Sequence, residues 1–180
     1  MSAHKIPEDR DLIHDLPAIE RAMVQMAKDI DVDLAGERPI YMTVLTGGLM
    51  VAGCLAPKIK LPLEFDYVHA TRYRGATEGG KLHWFAKPRC DLRNRTVLLV
   101  DDILDEGHTL EELRRFCFDA GAREVKIAVL CIKKHDRRVP GLKADYCELE
   151  VPDRYVFGFG MDYRELGRNL PAIYALKQES

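Results

Sequence analysis

Apolar positions recur along this chain with two periods, and the order of those periods predicts its architecture. In "DLPAIERAMVQMAKDI", Ile19, Ala22, Met23, Met26, Ala27 and Ile30 fall on one face at helical spacing. With Pro17 near its start, the segment predicts an amphipathic helix whose methionines fill core. "IYMTVL" is a short strand-like run ending at Thr46, Gly47 and Gly48, and "LMVAGCLA" predicts a buried helix stopped at Pro57. "LEFDYVHATRY" predicts a second strand, and "RGATEGGK" a mobile loop with nothing apolar to bury. "LHWFAK" then returns as a hairpin partner in which Trp84 serves packing.

"TVLLV" is wholly apolar, as strands are when a parallel sheet buries them on both faces. From Thr109 to about Ala120 a helix is predicted that buries Leu110, Leu113 and Cys117, carries Glu111 and Glu112 in its first turn, and stops at Gly121. "EVKIAVLCI" is a further buried strand. Strands alternating with helices predict an α/β fold with a largely parallel sheet, whose ligands bind at the C-terminal strand ends. The 180 residues suit one domain, with a core over about 36–140. The N-terminal arm and the aromatic, glycine-rich tail from about 145 to 180 predict a small cap.

The net charge of −2 offers no field that would gather nucleic acid or an acidic membrane. An anion must therefore be held locally. No apolar run reaches a membrane span, and "MSAHKIPEDRD" has no apolar signal-peptide centre, so a cytoplasmic protein is expected. The five cysteines are scattered and never form C-x-x-C, which suggests neither a disulfide framework nor zinc. The six histidines are equally dispersed.

Chemistry concentrates in "VLLVDDILDEGHTL", residues 97–110. A buried strand runs through a glycine turn into a helix, the geometry of a phosphate cradle, yet Asp101, Asp102, Asp105 and Glu106 would repel a phosphate. Carboxylates at a strand end suit the vicinal hydroxyls of a ribose or an outer-sphere grip on Mg²⁺. The backbone N–H groups of Asp105, Glu106, Gly107, His108 and Thr109, with the Thr109 hydroxyl, suit a monophosphate at the helix start. Two competing readings are an acidic helix cap and a receiver-type acid pair; the combination of diol grip, phosphate turn and helix start within one segment favours a nucleotide-like ligand.

The segment resembles the ribose-phosphate motif of the type I phosphoribosyltransferases, in which two acids follow a hydrophobic strand and precede a loop ending in Gly-x-Thr. "VLTGGLMVAGCL", "DYVHATRY" and "VPDRYVFGFGMDY" with a later arginine extend the likeness to the hypoxanthine-guanine branch of that family. The resemblance implies the type I fold, with a mostly parallel central sheet flanked by helices under a hood made by the chain termini. It implies purine salvage: transfer of ribose 5-phosphate from phosphoribosyl pyrophosphate to N9 of a 6-oxopurine, with Mg²⁺, by a homodimer or homotetramer.

By the same resemblance Asp101 and Asp102 hold the ribose hydroxyls and, with Asp162, Mg²⁺. Residues 105–109 hold the 5-phosphate, and Asp105 faces N7 of the purine as a general base or a hydrogen-bond acceptor. Thr46, Gly47 and Arg168 serve the pyrophosphate, and Tyr73 opens the loop that closes over the reacting centre. Lys134 donates to O6 of the base, Tyr155 stacks on it, Val156 offers its backbone, and Asp162 touches the base site. The adjacent Lys133 is an alternative for the lysine.

Four positions depart from the family pattern, which usually has glutamate at Asp101, a basic residue at Thr46, serine at Arg72 and Ser or Thr at Glu106. Arg72 is expected to restore from the loop the pyrophosphate cation that Thr46 removes, and the Glu106 carboxylate to turn to solvent or to a cation. Two other classes remain open: a transferase for xanthine or a pyrimidine, and a regulator that keeps the fold and binds RNA.

Overall fold

An aspartate decides where the first long helix begins. In the computed structural model, which describes residues 5–72 and 82–177, strand β1 (Arg10–His14) ends at Asp15, whose carboxylate accepts the Ala18 N–H at 2.9 Å. Helix α1 (Leu16–Asp33) follows, with Pro17 in its first turn, and buries the predicted stripe Ile19, Ala22, Met23, Met26, Ala27 and Ile30. Burying Met23 and Met26 is worth about 1.5–3 kcal/mol each. Strand β2 (Ile40–Leu45) leads into α2 (Gly48–Leu55) and a short 3-10 turn at Ala56–Lys58, where Pro57 ends the helix as expected.

Strands β3 (Glu64–Arg72) and β4 (Leu82–Ala86) form the predicted antiparallel pair, and the Trp84 ring packs 4.7 Å from Phe116. Tyr73 and the predicted loop lie outside the described residues, as does the side chain of Arg72. Strand β5 (Thr96–Leu104) runs through the "TVLLV" segment, every residue of which is buried. Helix α3 (His108–Asp119) and strand β6 (Glu124–Lys133) follow, with Leu110, Leu113 and Cys117 buried as predicted.

The tail contributes β7 (Leu149–Val151), β8 (Val156–Phe157) and β9 (Ile173–Leu176). β7 joins the main sheet beside β6, whereas β1, β9 and β8 form a separate three-stranded sheet. The main sheet has the order β4-β3-β2-β5-β6-β7, parallel except for the β3–β4 edge. α1 and α2 pack on one face in a cluster with Leu98 and Val100, and α3 packs on the other with Val97 and Leu99.

From β2 the chain crosses to β3 on one side, and from β5 it crosses to β6 on the other. The connections diverge there, and a crevice opens beyond the C-terminal ends of β2 and β5.

Candidate active site

At that divergence lies a cleft of about 260 Å³, lined by Val44, Leu45 and Gly47 from the β2 end and by Asp101, Asp102, Ile103 and Asp105 from the β5 end. Gly107, Thr109 and Leu110 close it from the start of α3, and Arg168 from the tail. Two glycines permit this geometry. A Cβ on Gly47 would stand 2.1 Å from Oδ2 of Asp102, so only a bare backbone fits between β2 and the buried carboxylate. Gly107 takes φ +85° as the N-cap of α3, a left-handed conformation that side chains rarely adopt.

The two long helices begin differently. Asp15 satisfies an orphan N–H of α1, but no side chain caps α3, so its first amides and the Thr109 hydroxyl remain for a ligand in the cleft. The acid that seemed out of place there points elsewhere: the Glu106 carboxylate lies 3.5 Å from His108 Nε2 and 3.9 Å from Arg137 Nε.

Asp102 is buried, and Asp101 accepts its N–H at 2.9 Å. Burial first, and then the neighbouring Asp102 charge, pushes the Asp101 carboxyl well above the usual carboxylate range. Burial also raises Asp102, against the contact with Asp101 and the charge of Arg168. At Asp105, partial burial alone would raise the carboxyl, but Lys133 on Oδ2 at 2.5 Å and His135 on Oδ1 at 2.7 Å outweigh it and hold it low. Asp105 is thus a carboxylate at neutral pH.

A strand-end acid pair, an uncapped helix start and a third carboxylate at the rim are a nucleotide-handling arrangement, and the sequence profile of the phosphoribosyl transferase domain matches residues 9–165. The chain belongs to the phosphoribosyltransferase family. A hypoxanthine-guanine phosphoribosyltransferase of Streptococcus pneumoniae is 35% identical to it over 162 residues, 89% of each chain. The crystal structure of a hypoxanthine phosphoribosyltransferase from Staphylococcus aureus superimposes with a TM-score of 0.86 at 28% identity, covering 93% of this chain and 91% of that one. That of a hypoxanthine-guanine phosphoribosyltransferase from Bacillus anthracis gives 0.86 at 27% identity, covering 95% and 100%.

In this phosphoribosyltransferase the tail residues act through one another. Arg168 donates to the Gly160 carbonyl at 2.7 Å and pairs with Asp162 at 2.8 Å, which aims it at the cleft. The Tyr155 hydroxyl donates to the Asp162 carbonyl at 3.1 Å, leaving a half-exposed ring 5.7 Å from Tyr163. Val156 is buried in β8. Neither Tyr155 nor Val156 lines the cleft itself; Val156 lies in β8 of the three-stranded sheet and Tyr155 immediately precedes it. Thr46 follows a cis Leu45–Thr46 peptide bond at the cleft edge.

The structure shows what surrounds two further side chains named from the sequence. The lysine beside Asp105 is Lys133, not Lys134: the Lys134 ammonium pairs with Glu150 at 2.5 Å in solvent, whereas the Lys133 side chain is 13% exposed. Asp162 is the second. Its Oδ1 is taken by Arg168 and its Oδ2 by the Glu165 N–H.

The remaining pair, Asp101 and Asp102, supplies hard oxygen donors beside the Arg168 cation. That donor set fits Mg²⁺, which needs one or two carboxylates and completes its shell with water and substrate phosphates. His135 was not singled out from the sequence. An isolated histidine after a strand carries no spacing signal.

Proposed function

We propose that this chain is a 6-oxopurine phosphoribosyltransferase of purine salvage, joining ribose 5-phosphate from phosphoribosyl pyrophosphate to N9 of hypoxanthine or guanine and releasing pyrophosphate. The observation that carries the reading is the convergence, on one cleft, of an acid pair, an uncapped helix start and a carboxylate held ionised by a lysine and a histidine. The named relatives support it over nearly the whole chain.

In this reading Asp101 and Asp102 grip the ribose hydroxyls, and the N–H groups of residues 105–109 with the Thr109 hydroxyl hold the 5-phosphate. The Gly47 backbone, the Thr46 turn and Arg168 receive the pyrophosphate, with Arg72 and Tyr73 approaching from the loop. Asp105 faces N7 and accepts its hydrogen bond or proton as the N9 bond forms. Lys133 donates to O6, and adenine, which has no acceptor there, would leave that donor unpaired. Tyr155 stacks on the base, and Val156 meets its edge through the backbone. Asp162 orients Arg168 and Tyr155. Asp101 and Asp102 would hold Mg²⁺, which when bound neutralises charge on the leaving pyrophosphate.

The enzyme acts in the cytoplasm as a homodimer or homotetramer; the exposed Phe65, Tyr67 and Phe85 on the β3–β4 face supply apolar area for a second copy. Sedimentation of Phe85→Glu beside the parent chain tests that face, and an unchanged assembly removes it.

The deciding experiment incubates the protein with phosphoribosyl pyrophosphate, Mg²⁺ and a panel of hypoxanthine, guanine, xanthine, adenine and uracil. Nucleotide is expected from hypoxanthine or guanine. Turnover of adenine or uracil alone, or of nothing, overturns the reading. Gly47→Ala should lower turnover by about 10²-fold, because its methyl must displace the Asp102 carboxylate and ångström errors in positioning have costs of that size. Activity within twofold of the parent would mean that Asp102 is not where the reaction needs it. Glu106→Gln should change donor affinity by less than about threefold, since its exposed carboxylate already faces His108 and Arg137 rather than the cleft. A large gain in affinity would show that the glutamate opposes the phosphate.

A further inference from the structure

We propose that His135 is a positioning residue for Asp105: its Nε2–H holds Oδ1, so the carboxylate keeps its orientation when Lys133 leaves Oδ2 for the purine carbonyl. The inference rests on the readings of Asp105 as the carboxylate that faces N7 and of Lys133 as the donor to O6.

Asp105 has two partners of unlike character. Lys133 reaches Oδ2 from the last residue of β6 with an ammonium on a four-carbon stem, free to turn to another acceptor. The same ammonium cannot saturate Asp105 and serve O6 of a base without shifting. When it shifts, an Asp105 held by nothing else would be free to rotate about its Cα–Cβ and Cβ–Cγ bonds. The oxygen meant for N7 would then be aimed only part of the time.

His135 cannot shift in that way. Its side chain is 2% exposed, and both ring nitrogens are engaged. Nδ1 accepts the Arg137 N–H at 3.1 Å, which puts the proton of the neutral ring on Nε2, facing Asp105 Oδ1 at 2.7 Å. Arg137 is itself anchored, its guanidinium forked onto Asp153 at 2.8 and 2.7 Å. The chain from Asp153 through Arg137 and His135 therefore ends on one oxygen of Asp105 and leaves the other for substrate. A buried imidazole with its tautomer set by a second contact is the usual means of holding a reacting carboxylate in one orientation.

The test compares His135→Leu, His135→Phe, His135→Gln, Asp105→Asn and the double variant Asp105→Asn/His135→Leu in the intact chain, measuring kcat, both KM values and Tm. His135→Leu should lower kcat about tenfold with the KM for phosphoribosyl pyrophosphate within twofold, the loss expected for one hydrogen bond to a charged group. His135→Phe keeps the ring volume and should lose as much, which separates the effect from a packing defect. His135→Gln, whose amide nitrogen can occupy the Nε2 position, should recover most of kcat. In the Asp105→Asn background His135→Leu should have almost no further effect, because the group it positions is already gone. An unchanged kcat in His135→Phe, no recovery with glutamine, or additive losses in the double variant would overturn the inference while leaving the role of Asp105 intact. A parent-like kcat in Asp105→Asn would instead remove the reading on which the inference stands, and the inference with it.

Discussion

Asp105→Asn is expected to lower kcat by about 10²–10⁴-fold while the KM for phosphoribosyl pyrophosphate stays within about threefold. The asymmetry follows from where the residue sits. Asp105 stands at the rim of the cleft, where Lys133 and His135 hold its carboxyl below the usual range against the opposing effect of burial. A group held low is ionised throughout the neutral range, and the capacity to accept a proton is lost only as pH falls through its depressed value. The acid limb of kcat/KM, which reports the free enzyme, should accordingly lie below the range of an ordinary carboxylate. Asparagine preserves the shape and one hydrogen-bond acceptor but cannot accept a proton. In the proposed reading residues 105–109 hold the phosphate through backbone amides, so the sugar donor should bind almost unchanged. Steady-state kinetics over a pH series separate these effects, and a rise in donor KM with kcat unaffected would place Asp105 on the phosphate instead.

Lys133→Ala and Lys134→Ala are expected to differ sharply. Lys133→Ala should lower kcat/KM for hypoxanthine and guanine by about 10–100-fold, the worth of a hydrogen bond to a charged group at about 1.5–3 kcal/mol. It should also narrow the margin over adenine, because the donor that adenine leaves unpaired is gone. Lys134→Ala should stay within about twofold of the parent, since its ammonium pairs with Glu150 and both side chains are 63% exposed. Competition between hypoxanthine and adenine in a single assay reads the ratio directly. Loss of the 6-oxopurine preference in Lys134→Ala, with Lys133→Ala intact, would establish Lys134 as the base contact instead.

Some of this could be read before any coordinates. The stripe from Ile19 to Ile30, the buried runs at residues 40–45 and 96–100, and the helix burying Leu110, Leu113 and Cys117 follow from local periodicity, which the fold respects residue by residue. "VLLVDDILDEGHTL" was legible for a related reason: strand, turn and helix start are consecutive, so adjacency in sequence is adjacency in space.

The choice between Lys133 and Lys134 was not legible, and the cause is visible in β6. Leu130 and Cys131 are consecutive, yet both pack in the same core cluster, so simple alternation along the buried run does not carry through to the strand end. Nor did any spacing tie His135 to Asp105 thirty residues earlier, or Asp162 to Arg168 across a turn of the hood.

The sequence by itself determined the α/β pattern, the family motif and the acids that belong to it, because each is encoded within one strand-turn-helix segment. Only the tertiary structure decided which lysine meets Asp105, that His135 holds the same carboxylate, that the Glu106 charge faces His108 and Arg137, and that Asp162 orients an arginine. Those are contacts between neighbouring strands and a folded-back tail, and their register is set by how the whole sheet twists and packs.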